Sequence, residues 1–172
     1  MRMAIISDIH SNLEALGRVL EDIRHQRVDE TVCLGDLVGY GPNPNECVEM
    51  VHKACSHVVA GNHDHAAVGL TALETFNPQA RLAVEWTRSH LLPEHRDYLK
   101  HLHFTRHRKE ITLVHATPHE PKQWHYLFDW RDLRVNFRAF HGRYCFIGHT
   151  HLPLAFIQGP DDRLYFNRNA VV

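Results

Sequence analysis

Apolar and polar positions follow two rhythms along this chain. Residues 2–7 are Ile-rich and weakly alternating, which predicts a first strand. Ser11 or Asn12 can cap the helix that follows, with Leu13, Leu16, Val19, Leu20 and Ile23 at helical spacing. Residues 31–34 predict a second strand. After the turn-rich stretch Gly39-Tyr40-Gly41-Pro42-Asn43-Pro44, Asn45 opens a helix carrying Cys47, Val48, Met50 and Val51. Residues 56–60 predict a third strand. A β-α-β-α-β order implies parallel strands with right-handed crossovers.

The middle of the chain reads as helical. Asn77-Pro78 starts one helix through Leu82, Ala83, Trp86 and Thr87, and Pro93 starts another through Tyr98, Leu99 and Leu102. These helices either cap the strand ends or pack on the sheet. Strands return at 111–115, 144–148, 153–158 and 163–167. Asp129 is placed to cap a helix through Leu133, Phe137 and Phe140. Gly159-Pro160-Asp161-Asp162 reads as the turn of an antiparallel hairpin. With no repeat and no low-complexity linker, residues 1–172 read as one α/β domain.

The strands share one habit. The run Val58-Val59-Ala60 delivers Gly61-Asn62-His63-Asp64, which reads as a tight loop. Met3 to Ile6 leads to Asp8 and His10, Thr31 to Leu34 leads to Gly35-Asp36, Ile111 to Val114 leads to His115, and Tyr144 to Ile147 leads to Gly148-His149-Thr150-His151. Any one of these is ordinary turn chemistry. Together they bring Asp, Asn and His to the carboxyl ends of strands, where crevices form in open α/β sheets.

Composition narrows the class without naming a reaction. A length of 172 residues allows a real core. The formal charge of -1 gives no support for a broad basic face, so no extended nucleic-acid surface is expected. No run of about 18 apolar residues suggests a membrane span, and no signal-peptide pattern precedes the first strand. Cys33, Cys47, Cys55 and Cys145 form no CxxC pair and read as reduced core residues, so a cytoplasmic location is expected. Most of the 17 histidines lie in polar contexts and read as surface decoration.

Asp8, His10, Asp36, Asn62, His115, His149 and His151 are more donors than one metal ion needs, and they suit two. Mixed carboxylate and imidazole favours Mn, Fe, Ni or Zn, ahead of Mg and Ca. A carboxylate between ions about 3.5–4 Å apart is the usual device of hydrolytic two-metal sites, and Asp36 is the natural bridge because it follows Gly35 on a central strand. Two divalent ions outweigh two aspartates and one hydroxide, so such a site attracts an anion such as phosphate.

The ordered set Asp8-x-His10, Gly35-Asp36, Gly61-Asn62-His63-Asp64, His115 and Gly148-His149-Thr150-His151 resembles the calcineurin-like metallophosphoesterase superfamily. The surrounding segments resemble its small prokaryotic phosphodiesterase branch, often labelled as related to diadenosine tetraphosphatase. The resemblance implies a four-layer α-β-β-α sandwich and hydrolysis of phosphodiesters or phosphomonoesters by metal-bound hydroxide. It implies that Asp8, His10, Asp36 and His151 hold one metal, that Asp36, Asn62, His115 and His149 hold the other, and that His63 is the leaving-group acid. Two departures stand out. Gly39 and Tyr40 occupy the places where protein serine/threonine phosphatases carry the Asp-Arg of Asp-x-x-Asp-Arg, which argues against that activity. The chain also stops at Val172, short of the further segment the branch usually carries.

Two other readings compete with a dinuclear phosphoesterase. One is a non-catalytic binding scaffold on the same fold, and the other is a mononuclear zinc protein. The expected substrate is a small phosphate ester or a nucleotide, met by Asn62, His63 and Tyr40. Tyr40 and Trp124 flank the expected mouth, either stacking on a nucleobase or anchoring their loops.

Overall fold

The computed structural model describes residues 2–127 and 130–167. Three parallel strands, β1 (Met3–Ile6), β2 (Glu30–Cys33) and β3 (His57–Val58), form a first sheet in that order. The crossovers are α1 (Leu13–His25) and α2 (Pro44–Ala54). Asn12 caps α1, its side chain accepting from the Ala15 N–H at 3.0 Å. Asn43 and Pro44 open α2, one residue earlier than the pattern predicts. Asn45 instead ties α2 to the next helices: it donates to the His90 carbonyl and accepts from Leu92 N–H, both at 2.9 Å.

Two expectations about the third strand change. It is shorter than 56–60: β3 is His57–Val58, and Val59, whose N–H still donates to the Cys33 carbonyl at 3.1 Å, also forms an isolated bridge to His103. Gly61-Asn62-His63-Asp64 is not a loop. Asn62–Ala67 is a short helix, α3, with Gly61 at its N-cap.

The helices α4 (Pro78–His90) and α5 (Pro93–Lys100) start at the two prolines, as expected. They pack with the body of the domain: Val84, Leu91 and Leu99 share one buried cluster with Leu16, Cys33, Val48, Val51 and Ala66.

A second sheet contains β4 (Thr105–Arg108), β5 (Ile111–Val114) and β6 (Tyr144–Phe146), with β4 antiparallel and β6 parallel to β5. The pattern does not predict β4. Its residues Thr-Arg-His-Arg are polar because it is an edge strand, where polar side chains discourage further pairing. The predicted 153–158 and 163–167 strands appear as β7 (Ala155–Gln158) and β8 (Leu164–Asn167). They pair antiparallel in a two-stranded sheet of their own. Helix α6 is Trp130–Phe137; the expected cap Asp129 and the terminal Val172 lie outside the described residues.

The two main sheets face each other. Val32, Leu34 and Val59 of the first pack on Leu113 of the second, with Met3, Ile5, Ile111 and Phe146 beside them. The other face of the first sheet meets α1 to α5. This layering makes an α/β sandwich, and it aligns the carboxyl ends of β1, β2, β3, β5 and β6 along one edge.

Candidate metal centre

The turns that leave these strands are unusual in backbone conformation. Asp8, His10, Asp36, His149 and His151 all have left-handed φ, between 49° and 64°. Non-glycine residues in this region cost about 1–3 kcal/mol each and persist where the surroundings enforce them. All five are residues the sequence singles out as ligands. Gly61 explains part of the enforcement. A Cβ there would collide with the Asp36 carboxylate and with Asp36 N, so only glycine lets β2's turn approach β3's so closely.

Side chains converge as follows. His151 Nε2 lies 3.2 Å from Asp8 Oδ1 and 3.3 Å from His10 Nε2. His10 Nε2 lies 3.7 Å from Asp36 Oδ2. On the other side of Asp36, His115 Nε2 is 3.3 Å from Asp36 Oδ2 and 3.1 Å from Asn62 Oδ1. Candidate ligand atoms group as Asp8-His10-His151 and Asp36-His115-His149, and a third grouping joins His10, Asp36 and His63. All seven predicted ligands are therefore brought to one place, with Asp36 between the two halves. His149 and His115 are 5.0 Å apart by ring centroid.

Backbone carbonyls fix the imidazole tautomers. A carbonyl only accepts, so the ring nitrogen that meets it carries the proton. His115 Nδ1 donates to Leu34 O at 2.7 Å, His10 Nδ1 to Val38 O at 3.2 Å, and His149 Nε2 to Trp124 O at 3.1 Å. The opposite nitrogen of each neutral ring is left with its lone pair directed away from that carbonyl. Carbonyl-oriented imidazoles are the usual outer-layer device of metal sites.

For His115 the consequence is sharp. Its Nε2 lone pair faces two acceptor oxygens, Asn62 Oδ1 and Asp36 Oδ2. That contact is repulsive unless a cation sits among the three atoms. A proton can fill this role: burial alone would lower the His115 pKa, but the Asp36 carboxylate beside it raises it to about 9. Burial opposes ionisation of Asp36, and His115, with His63 and His10, overrides it and holds the carboxyl well below the usual range. A divalent cation fits the same set of donors.

His63 is buried, and its ring lies 4.7 Å from His10, 4.8 Å from Tyr40 and 5.0 Å from Phe76. Its Nδ1 is buried without a hydrogen-bond partner. Gly39 sits against that atom, where a Cβ would come within 2.5 Å, so the acid partner found in protein phosphatases has no counterpart at this position. Burial lowers the His63 pKa to about 4, and burial lowers His149 similarly to about 4. Tyr40, with a φ of 55° and half exposed, covers both His10 and His63 at 4.8 Å.

Three more residues act here, of which the sequence singles out only Trp124, as a base-stacking or loop-anchoring residue at the mouth. Asp64, fully buried, accepts from Leu37 N at 2.8 Å, Val38 N at 3.2 Å and Gly61 N at 3.0 Å. Burial and the nearby Asp36 raise its pKa to about 7. Only its place in the Gly-Asn-His-Asp motif could have flagged it. Trp124 contributes its carbonyl to His149, which leaves no trace in sequence. Tyr126 stacks on His149 at 4.1 Å.

The family model of the calcineurin-like phosphoesterase superfamily domain matches residues 1–168. An uncharacterised protein of Methanocaldococcus jannaschii is 38% identical over 98% of this chain and 69% of its own length. A metallophosphoesterase crystal structure from Sphaerobacter thermophilus is 46% identical with a TM-score of 0.79; the match covers 92% of this chain, which spans 63% of that one. A hypothetical protein from Pyrococcus horikoshii shares the fold at 17% identity, with a TM-score of 0.68 over 97% of this chain and 87% of its own. With its sheets, its strand-end donors and this match along nearly its whole length, the chain belongs to the calcineurin-like phosphoesterase superfamily, and membership implies metal-dependent phosphoester hydrolysis.

Proposed function

We propose that this chain is a dinuclear metal-dependent phosphoesterase acting on a small phosphate ester or a nucleotide. The observation that carries the reading is the convergence of His115 Nε2 on Asn62 Oδ1 at 3.1 Å and Asp36 Oδ2 at 3.3 Å, a set of donor atoms that one divalent cation can share. Asp36, Asn62, His115 and His149 would hold one ion, and Asp8, His10, Asp36 and His151 the other. The donor set suits Mn, Fe, Ni or Zn better than Mg. When bound, a pair of divalent ions supplies Lewis acidity and acidified water.

The chain's own residues do the rest. Asn62 and His63 begin α3, and they are the residues that would meet a bound phosphate. Burial favours the neutral form of His63; an anionic ester beside it favours its protonation, and it then donates to the leaving oxygen. Tyr40 forms the wall beside His63. The free cysteines support a reducing, cytoplasmic setting. No helix among the described residues is long and apolar enough to cross a membrane.

The test is metal content together with turnover on chromogenic mono- and diesters with Mn, Ni, Mg and Zn. Two ions per chain and metal-dependent turnover are expected. No bound metal would point to a scaffold, and one ion per chain to a mononuclear protein.

A further inference from the structure

The segment after His115 crosses the His149 half of the site. It holds a 3-10 turn, Pro121–Gln123, bounded by Glu120 at φ 49° and Trp124 at φ 56°. Left-handed backbone at a residue as bulky as tryptophan is rare and needs a reason. The reason lies in two directions at once. The Trp124 carbonyl accepts from His149 Nε2 at 3.1 Å. The indole packs inward, 5.5 Å from the buried His65, 5.6 Å from Phe104 and 6.0 Å from His115. Lys122 lies over the Phe104 ring, so the same segment is tied down again two residues earlier. Two residues later, Tyr126 lies flat on the His149 ring, with an interplanar angle of 24°.

We propose that Trp124 and Tyr126 are positioning residues for His149. The anchored indole sets where the Trp124 carbonyl points, the carbonyl selects the Nε2–H tautomer, and Tyr126 fixes the ring plane. Together they present the Nδ1 lone pair toward the Asp36-His115 half of the centre. The other half is held by different residues: His10 Nδ1 donates to the Val38 carbonyl, Tyr40 packs edge-on to His10 at 4.8 Å, and His151 is 54% exposed at its side chain. Trp124 and Tyr126 thus act on the His149 position alone. The inference rests on the two-metal reading proposed above.

Titration of the full chain with Co²⁺, followed by calorimetry and by the visible absorption of bound cobalt, tests it. Wild type, Trp124→Ala, Trp124→Phe and Tyr126→Ala are compared, with circular dichroism as the check of folding. Loss of an outer-layer partner typically weakens metal binding about 10–100-fold. In Trp124→Ala one of the two cobalt equivalents should weaken by that factor, with an altered absorption band, while the other is unchanged. Trp124→Phe, which keeps an aromatic anchor, should recover most of the loss, and Tyr126→Ala should weaken the same equivalent. Equal weakening of both equivalents would make Trp124 merely structural and overturn the proposal, as would two unaltered equivalents. Fewer than two equivalents in wild type would overturn the two-metal reading, and this inference with it.

Discussion

The Asp64 carboxylate accepts a hydrogen bond from Leu37 N–H at 2.8 Å, across a sequence separation of 27 residues. The same carboxylate accepts from Val38 and Gly61. One buried side chain therefore joins the turn that carries Asp36 to the start of α3, which carries Asn62 and His63.

Removing this joint should cost stability before any metal is added. Asp64→Ala leaves three backbone N–H groups without acceptors in a buried place. Each orphaned donor costs about 1–3 kcal/mol, so a loss on the order of 3 kcal/mol is expected after partial relaxation. Asp64→Asn should lose less, because an amide oxygen can still serve Leu37 and Val38 while the amide NH2 faces Gly61 N–H. Urea unfolding of the metal-free variants measures this. A change within about 0.5 kcal/mol for Asp64→Ala would show that the joint is redundant.

Asp36→Asn should abolish binding at both metal positions together. Its carboxylate lies between His10 on one side and His115 on the other. An amide can fill the volume but not supply the charge. Metal analysis and turnover of the purified variant check this. Retention of two ions with near-normal turnover would place the bridge elsewhere.

The cysteines should be chemically quiet. Burial pushes Cys47, Cys55 and Cys145 each up to about 12, and raises Cys33 well above its ordinary value. A raised thiol pKa favours the neutral, unreactive form, and reactivity grows as pH approaches it. At pH 8 a thiol of pKa near 12 is thiolate in about one molecule in ten thousand. Iodoacetamide at pH 8 should therefore label the native protein slowly and the unfolded protein quickly, as followed by mass spectrometry. Rapid native labelling, or loss of turnover without unfolding, would contradict this.

Much of this molecule is legible in its residue pattern, and the illegible parts share a cause. The parallel order of β1, β2 and β3 follows from apolar runs alternating with helical spacing. The convergence of Asp8, Asp36, His115 and His149 follows because each ends a strand. The pattern misses α3 because its buried positions include His63, Asp64 and His65, polar residues that a periodicity argument assigns to a loop. It misses β4 because an edge strand needs no apolar face. It cannot show what backbone does, such as the carbonyls of Leu34, Val38 and Trp124 that orient three imidazoles. Nor can it show the left-handed turns at Asp8, His10 and Asp36.

The most discriminating prediction concerns His63. Its ring is held between His10, Tyr40 and Phe76, and its backbone N–H donates to Asp36 Oδ1 at 2.9 Å. Its side chain can therefore change without removing the contact that its backbone makes. Two roles are open to that side chain, because its ring also groups with His10 and Asp36 as a candidate ligand. A proton donor matters most when the leaving oxygen is a poor leaving group, where general acid catalysis contributes about 10²–10⁴-fold. His63→Ala should keep both metal ions, slow alkyl esters by about that factor, and slow nitrophenyl esters much less. Matched alkyl and nitrophenyl esters, assayed beside metal content, separate the possibilities. Loss of one ion would make His63 a ligand. Equal slowing of both esters with both ions in place would leave it as a residue that positions phosphate.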